Sequence, residues 1–261
     1  MHNFDFVKPA SVEEAVKALA QEGAQALSGG QTLIATMKQR LAAPTTLVSL
    51  TGIAAMKGVK AEGGTLTVGA ATPHAVVAKE AASAYPALAR LAGGIGDPAV
   101  RNRGTVGGSI ANNDPAACYP SGVLASGATV VTNKRRIAAD DYFQGLFTTA
   151  LEEGEIVIQV VFPIPEKAAY LKFEQPASRF ALTGVFVAKY PSGVRVAVTG
   201  AGADGVFRWS EAEAALSKNF SAAAVDGLSV DPSNLMGDLH GTPEYRANLI
   251  KVLTKRAVAA A

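Results

Sequence analysis

The chain of 261 residues contains a single cysteine, Cys118, and only three histidines. One cysteine cannot form an internal disulfide, which favours a reducing compartment, so we expect a cytoplasmic protein. The same count excludes a cysteine-ligated zinc or iron–sulfur centre held by this chain alone. His2, His74 and His240 are scattered without metal-ligand spacing, so we expect no metal site. Any redox chemistry in this chain therefore needs an organic cofactor.

Charge asymmetry and long apolar runs are also missing. The 24 basic and 22 acidic residues give a net charge of +2, which provides no electrostatic reason to expect nucleic acid as a partner. No apolar run has the length of a bilayer span, so we expect no transmembrane segment, while peripheral membrane contact stays open. Residues 1–6 do not resemble a secretory signal. The 49% hydrophobic content indicates a folded protein with room for two modest domains.

The periodicity of residues 1–165 predicts mixed strands and helices. Ser11 and Glu14 form a capping box that predicts a helix start. A strand–helix–strand–helix–strand order up to about residue 57 indicates a small α/β subdomain, and 58–165 form a second one. The segments predicted in the second subdomain are helices at 73–84 and 86–93, and strands or connecting segments at 65–70, 123–131, 137–143 and 155–162.

Pro163 and Pro165 mark a predicted domain boundary, after which residues 166–261 form an α+β unit. Thr242 is expected to cap the last helix, with Pro243 in its first turn. Trp209 begins a helix and is expected in the core. The elements predicted here are three strands at 169–174, 183–190 and 194–199, and helices at 211–217 and 243–260.

The first of two glycine-bearing segments follows a predicted strand and precedes a predicted helix. Paired glycines let backbone N–H groups point outward together, and the helix dipole adds positive potential, which suits a pyrophosphate. A tight turn without a ligand explains this pair alone equally well. The residues of this segment are Leu27, Ser28, Gly29, Gly30, Gln31 and Thr32.

The second segment adds hydroxyl side chains to a glycine pair. Thr105 and Ser109 offer hydroxyls, and the glycines let a flat ring or a ribityl chain approach the backbone. Asn112, Asn113 and Asp114 follow and are able to bind polyol hydroxyls, although Asp114 before proline also suits an Asx turn. Neither segment matches the dinucleotide fingerprint of the doubly wound fold or the Walker loop. The segment runs through Gly104, Thr105, Val106, Gly107, Gly108 and Ser109.

Other reactive residue types give weaker indications. Arg101 and Arg103 flank Asn102 just before the second segment. Phosphate, a partner chain and local carbonyls are alternative contacts for them, and local carbonyls are the default expectation. Cys118 has no basic neighbour in sequence to lower its pKa, so a packing role is expected. So few histidines give no basis for a Ser-His-Asp or Cys-His arrangement, and we select no catalytic residue from the sequence.

Together the two segments resemble the FAD-binding medium subunits of molybdenum hydroxylases. The resemblance is strongest to the aerobic carbon monoxide dehydrogenase group, with its xanthine-dehydrogenase-like and aldehyde-oxidising relatives. It runs nearly end to end and includes residues 241–246. It implies an α+β protein with a two-subdomain FAD-binding fold of the vanillyl-alcohol-oxidase (PCMH) type over 1–165. It also implies a C-terminal domain of the carbon monoxide dehydrogenase flavoprotein type over 166–261.

The resemblance implies FAD as the cofactor of this chain. By analogy, residues 28–32 hold the pyrophosphate, and 105–109 hold the flavin side with Asp114 beside it. Lys172 matches a lysine near the flavin in xanthine-dehydrogenase-like relatives. Those relatives have an aspartate where this chain has Cys118, which is a departure from their pattern. The implied cofactor-binding set also contains Leu27, Gly104, Val106, Asn113 and Val157.

The resemblance also implies partners: a small subunit with iron–sulfur clusters and a large subunit with the molybdenum cofactor, as a dimer of heterotrimers. Electrons would pass from a cluster through FAD to an external small-molecule acceptor, namely NAD, a quinone, a cytochrome or oxygen. Two alternatives remain: a free-standing FAD-dependent oxidoreductase, and a flavin-free interaction subunit on the same fold. The sequence does not distinguish carbon monoxide, an aldehyde, a purine or an N-heterocycle as the substrate of the complex.

Overall fold

The computed structural model describes residues 1–261, and the chain begins with a small parallel sheet. Its elements are β1 (Asp5–Val7), α1 (Val12–Leu19), β2 (Ala24–Leu27), α2 (Leu33–Lys38) and β3 (Thr46–Ser49). The strand order is β1-β3-β2, so the buried β3 is central. The Glu14 amide donates to Ser11 Oγ at 3.2 Å and the Ala10 amide donates to Glu14 Oε2 at 2.8 Å. The first bond confirms the predicted N-cap, but Glu14 accepts the amide of Ala10 and not that of Ser11, so the reciprocal half of the predicted capping box is not formed.

The second subdomain is built on an antiparallel sheet of five strands. Its elements are β4 (Val59–Glu62), β5 (Thr65–Gly69), α3 (His74–Glu80), α4 (Pro86–Gly93), α5 (Pro98–Arg101), α6 (Val106–Asn112), α7 (Tyr119–Ala125), β6 (Thr129–Thr132), β7 (Arg136–Ala138), α8 (Ala139–Tyr142), β8 (Phe143–Gly145), β9 (Thr148–Thr149) and β10 (Val157–Pro163). The order is β4-β5-β10-β6-β7, with β10 in the middle. The helices between β5 and β6 therefore leave the sheet and return to its other half.

Three parts of this subdomain differ from the sequence prediction. The strand predicted at 123–131 is wrong in its first half, because the helix α7 continues to Ala125 and β6 begins only at Thr129. A continuous apolar run does not by itself distinguish a buried helix from a strand, and α7 is buried over its whole length. The range 137–143 divides among β7, α8 and β8, and β4 was not predicted.

The C-terminal residues form a four-stranded antiparallel sheet with two helices. The elements are β11 (Lys167–Glu174), β12 (Ala181–Tyr190), β13 (Gly193–Thr199), β14 (Phe207–Arg208), α9 (Ser210–Lys218) and α10 (Pro243–Ala260). The three predicted strands are present, and the prediction of only three is wrong because it missed the two-residue β14. Thr242 caps α10 by accepting the Tyr245 amide, and Trp209 is 2% exposed, as predicted.

The C-terminal sheet packs against the rest of the chain through one face. Phe186 of β12 is fully buried, and its ring lies 6.1 Å from that of Tyr85 in an edge-to-face arrangement. The opposite face is covered by α9 and α10. Pro163 and Pro165, the predicted domain boundary, lie at the end of β10 and in the short connection that follows it, before β11 begins at Lys167. None of the helices combines the length and apolar character that crossing a bilayer requires.

Candidate functional site

The two glycine segments meet in space, although they are far apart in sequence. We call residues 27–32 the first loop and residues 104–109 the second loop. Ser28 Oγ and Thr105 Oγ1 lie 2.7 Å apart and share a hydrogen bond. A Cβ atom on Gly29 would lie 2.2 Å from the carbonyl oxygen of Arg103, which is closer than any real contact. Glycine at position 29 therefore allows the two backbones to touch, and the loops form one site.

A cavity of about 460 Å³ lies along both loops. Its size is typical of a pocket for a small molecule or cofactor. Most of the residues expected from the sequence to bind the cofactor line this cavity, namely Leu27, Ser28, Gly29, Gly30, Gln31, Thr32, Gly104, Thr105, Gly107, Gly108, Ser109, Asp114 and Val157. Loops and strand ends from both subdomains thus contribute to one concave surface.

Three of the expected residues do not line the cavity. Val106 is buried beneath the second loop. Asn113 has a left-handed backbone, with φ of 43°, and its amide group donates to the carbonyls of Gly145 and Thr148 at 2.8 Å each. Lys172 Nζ donates to the carbonyl of Gly94 at 2.7 Å. In this structure these side chains support the backbone around the cavity.

The first loop presents a run of unpaired backbone donors. The N–H groups of residues 29–32 have no acceptor anywhere in the chain, and all four residues line the cavity. Gly30 has a φ of +72°, a conformation that side chains disfavour, and this turns the loop so that successive amides are available. Successive backbone N–H groups without partners in the wall of a cavity are typical of an anion-binding loop, so this run of free donors indicates an anionic ligand.

The second loop is the first turn of α6, which the sequence reading treated as a loop. Thr105 is the N-cap, and its Oγ1 accepts the Gly108 amide at 3.2 Å. Gly107 packs against the end of β5, where a Cβ would lie 2.5 Å from the Cβ of Ala70. Both α6 and α2 are short, with 7 and 6 residues. The attraction of an anion to these helix starts therefore comes more from the local N–H groups than from an extended helix dipole.

The cavity is also lined by residues that no sequence pattern predicts. Ile95 and Gly96 come from the turn after α4, and residues 178–180 come from the loop between β11 and β12. Arg101 donates to the carbonyls of Ile95 and Gly96 at 3.1 and 2.8 Å, which agrees with its expected contact with local carbonyls. No local pattern marks these residues, because only the packing of the C-terminal domain brings the segments together.

Cys118 also lines the cavity, and its surroundings differ from the expectation. Lys172 Nζ lies 3.9 Å from Cys118 Sγ, so a basic group does lie nearby, although 54 residues away in sequence. Burial nevertheless raises the pKa of the Cys118 thiol, more than Lys172 lowers it. The thiol is therefore neutral and 5% exposed, which fits the expected packing role.

Glu155 places a buried carboxylate in the cavity wall. Burial opposes its ionisation, but hydrogen bonds from Arg135 and Thr132 outweigh burial and lower the pKa of Glu155 to about 2. The Thr132 hydroxyl donates at 2.6 Å, and Arg135 Nε and Nη2 donate at 3.1 Å each. This network holds the turn before β10, from which Val157 and Ile156 reach the cavity.

The fold, with one parallel and two antiparallel main sheets, and the two-loop cavity define a mixed helix and sheet protein with a site suited to a cofactor. Residues 2–165 match the family described as the FAD binding domain in molybdopterin dehydrogenase. The chain belongs to this family. Its α+β fold and FAD as its cofactor, both expected from the sequence, are thereby confirmed.

Full-length relatives agree with this assignment. The chain is 32% identical to the carbon monoxide dehydrogenase medium chain of Hydrogenophaga pseudoflava, with 99% of this chain and 96% of the relative covered. It is 31% identical to the nicotine 6-hydroxylase medium subunit of Paenarthrobacter nicotinovorans, with coverage of 97% and 95%. The resemblance to medium subunits of molybdenum hydroxylases, seen in the sequence, is confirmed, as is membership of an oxidoreductase complex.

Solved structures show the same architecture. The carbon monoxide dehydrogenase from Hydrogenophaga pseudoflava that lacks the Mo-pyranopterin moiety superposes with a TM-score of 0.88 at 32% identity, over 100% of this chain and 97% of that chain. Quinoline 2-oxidoreductase from Pseudomonas putida 86 also gives 0.88, at 27% identity and the same coverage. The fold is therefore shared along the whole chain, including the C-terminal domain.

The lining of the cavity fits FAD. The free N–H groups of residues 29–32 match the anionic diphosphate of a dinucleotide. Ile95, Val157 and Phe180 line the same cavity and offer apolar surface for a flat aromatic ring. Polar donors and apolar walls thus occur together, as an amphipathic dinucleotide requires.

Proposed function

We propose that this chain is the FAD-carrying subunit of a molybdenum hydroxylase, and that it connects the iron–sulfur clusters of a partner to an external electron acceptor. The observation that carries the proposal is the run of free N–H groups at residues 29–32, facing the same cavity as the second loop. Bound FAD would supply a redox group that exchanges electrons singly or in pairs.

The residues of the cavity have separate roles in this proposal. The amides of residues 29–32 bind the diphosphate, and the hydroxyls of Thr105 and Ser109 bind on the flavin side. Asp114 is positioned by an Asx turn, in which its Oδ1 accepts the Ala116 amide at 2.9 Å, and its other oxygen is available to a ribityl hydroxyl. Phe180 and Ile95 offer apolar surface on which the ring would pack. None of these groups acts as a general acid or base.

The proposal requires partner subunits. This chain has one cysteine and so cannot ligate an iron–sulfur cluster alone. Relatives that match along nearly their whole length are named as medium chains or medium subunits, which supports assembly with other subunits. We propose a small iron–sulfur subunit and a large molybdenum-cofactor subunit, arranged as a dimer of heterotrimers. A cytoplasmic location is part of the proposal and is supported by the single cysteine.

The substrate of the complex is determined outside this chain. Relatives of 31–32% identity include subunits named for carbon monoxide dehydrogenase, nicotine 6-hydroxylase and glyceraldehyde dehydrogenase. Complexes named for three such different substrates contain the same type of flavin subunit. We therefore infer that the FAD cavity passes electrons to the acceptor and does not select the substrate. We further propose that residues 1–165 form the FAD-binding domain, with subdomains at about 1–57 and 58–165, and that 166–261 form the C-terminal domain.

The experiment is purification of the affinity-tagged chain from its native host, followed by measurement of its FAD, iron and molybdenum content. We expect all three to co-purify, with the iron and molybdenum on other polypeptides. FAD on a chain that purifies alone and reduces its own substrate would contradict the proposal and favour a free-standing oxidoreductase. Co-purification of partner subunits with a chain that holds no FAD would favour the flavin-free interaction subunit.

A further inference from the structure

His74 is a buried polar side chain that lies where the two loops meet. It is the first residue of α3, it is 4% exposed, and it lines the cavity. Its Nδ1 is fully buried and has no hydrogen-bond partner. Nδ1 is inaccessible, so a ligand in the cavity would reach the ring only through Nε2, which also has no hydrogen-bond partner in the chain. Buried polar side chains are nearly always paired, so an imidazole with neither nitrogen paired at a cavity points to a partner outside the chain.

The other ring nitrogen lies against the second loop. A Cβ on Gly104 would lie 2.5 Å from His74 Nε2 and 2.9 Å from its Cδ2. Because Gly104 has no side chain, the Nε2 edge of the ring lies against the backbone of the second loop, where His74 lines the cavity. The chain provides no hydrogen-bond acceptor or donor for Nε2, so it remains available.

The position of the ring is fixed from two sides. The His74 amide donates to the Gly104 carbonyl at 3.0 Å, and Pro73 pairs with Thr105 in an isolated bridge. The ring of Tyr119 packs on the imidazole, with centroids 5.2 Å apart. A ring held in this way loses little conformational entropy when it binds a ligand.

The imidazole is neutral before a ligand binds. Burial, and after it the positive charge of Arg101, lower the pKa of His74 to about 4. A neutral imidazole has one N–H donor and one acceptor nitrogen. An anion beside the ring would offer an acceptor for that N–H.

We propose that His74 is a binding residue of the FAD site, whose Nε2–H donates a hydrogen bond to the cofactor's diphosphate where the first and second loops meet. This inference rests on the proposed FAD binding and adds a side-chain donor to the backbone donors of residues 29–32. It also assigns a role to Gly104, because any side chain there would displace the ring.

The test measures affinities of the full-length chain for FAD, ADP and riboflavin. His74→Leu removes the donor, and His74→Gln keeps an N–H of similar reach. Tyr119→Phe is the control beside the ring, because it keeps the aromatic packing on His74 and removes only an unpaired hydroxyl. We expect His74→Leu to weaken FAD and ADP binding roughly 10-fold, as for one lost hydrogen bond to a charged group, and to leave riboflavin unchanged. We expect His74→Gln and Tyr119→Phe to stay within about 3-fold of the wild type.

A second measurement does not depend on a folded leucine variant. The chain has only three histidines, so its imidazole ¹⁵N spectrum is simple, and His74→Gln identifies the His74 signals. We expect saturating ADP to shift the His74 Nε2 resonance and to leave His2 and His240 in place. The inference would be overturned if His74→Leu lost affinity for riboflavin and ADP equally. It would also be overturned if the His74 resonance did not move in a chain that binds ADP. Failure of the wild type to bind FAD or ADP would instead contradict the proposed function.

Discussion

The side-chain oxygens of Ser28 and Thr105 lie 2.7 Å apart and join two loops that are 77 residues apart in sequence. Thr105 Oγ1 also accepts the amide of Gly108, so one hydroxyl links the first loop to the first turn of α6. The cavity is thus formed by two backbones held in contact. Its shape depends on small residues and short side chains at that contact.

We expect Ser28→Ala to cost about 0.5–1.5 kcal/mol of folding free energy, the usual value of one hydrogen bond. Thr105→Ala should cost about 1 kcal/mol more, because it also removes the N-cap of α6. Thr105→Ser keeps both bonds and should restore most of the loss. Chemical denaturation of the four proteins checks this, and equal costs for the two alanine variants would contradict the linking role of Thr105.

We expect Lys172→Met to loosen the β11–β12 loop over the cavity. Lys172 Nζ donates to the carbonyls of Gly94 and Arg179, and so it ties that loop to the turn after α4. Hydrogen exchange should become faster in residues 94–96 and 175–180, and FAD affinity should fall by roughly 3- to 30-fold, about 0.7–2 kcal/mol. The matched control is Lys60→Met, since Lys60 is 74% exposed and pairs only with Glu62. Unchanged hydrogen exchange in both segments would contradict the role of Lys172 in holding the β11–β12 loop to the turn after α4.

We expect Glu155 to make the free energy of unfolding depend on pH in the acid range. Its pKa is lowered to about 2 in the folded chain, so its contribution is present above the ordinary value of 4.5 and is lost as pH falls from about 5 toward 2. Glu155→Gln should be less stable than the wild type at pH 7 by about 1–3 kcal/mol, and this difference should shrink as the pH falls. Denaturant titrations from pH 7 to 3 measure it, with the exposed Glu153→Gln as control. A difference that is constant over this range would contradict the pairing with Arg135.

The sequence was sufficient to predict both loops and the cofactor. Glycine at positions 29 and 107 is required because a Cβ there would lie 2.2 Å from the backbone oxygen of Arg103 and 2.5 Å from the Cβ of Ala70, so the close packing of the fold is visible in the sequence at these positions. The capping residues Ser11 and Thr242 are equally local, because their bonds reach only three residues along the chain. Features of this kind are encoded in short segments.

The rest of the site is produced by tertiary contacts. Cys118 and Lys172 approach each other across 54 residues, and Arg179 reaches the cavity only because the C-terminal sheet docks there. The helix α7 was partly taken for a strand because its burial removes the polar face that reveals a helical period. The two-residue β14 is too short to show any period.

The central claim is that contact between the two loops creates the FAD site, and the most direct test is the FAD content of glycine variants. FAD released by heat from the purified wild type, Gly29→Val and Gly227→Ala would be measured per chain. Gly227 has no atom within 4 Å of a hypothetical Cβ, so it is the matched control. We predict about one FAD per chain for the wild type and Gly227→Ala, and a loss of tenfold or more for Gly29→Val. Full flavin content in a folded Gly29→Val, or a wild type that neither contains nor takes up FAD, would contradict the account.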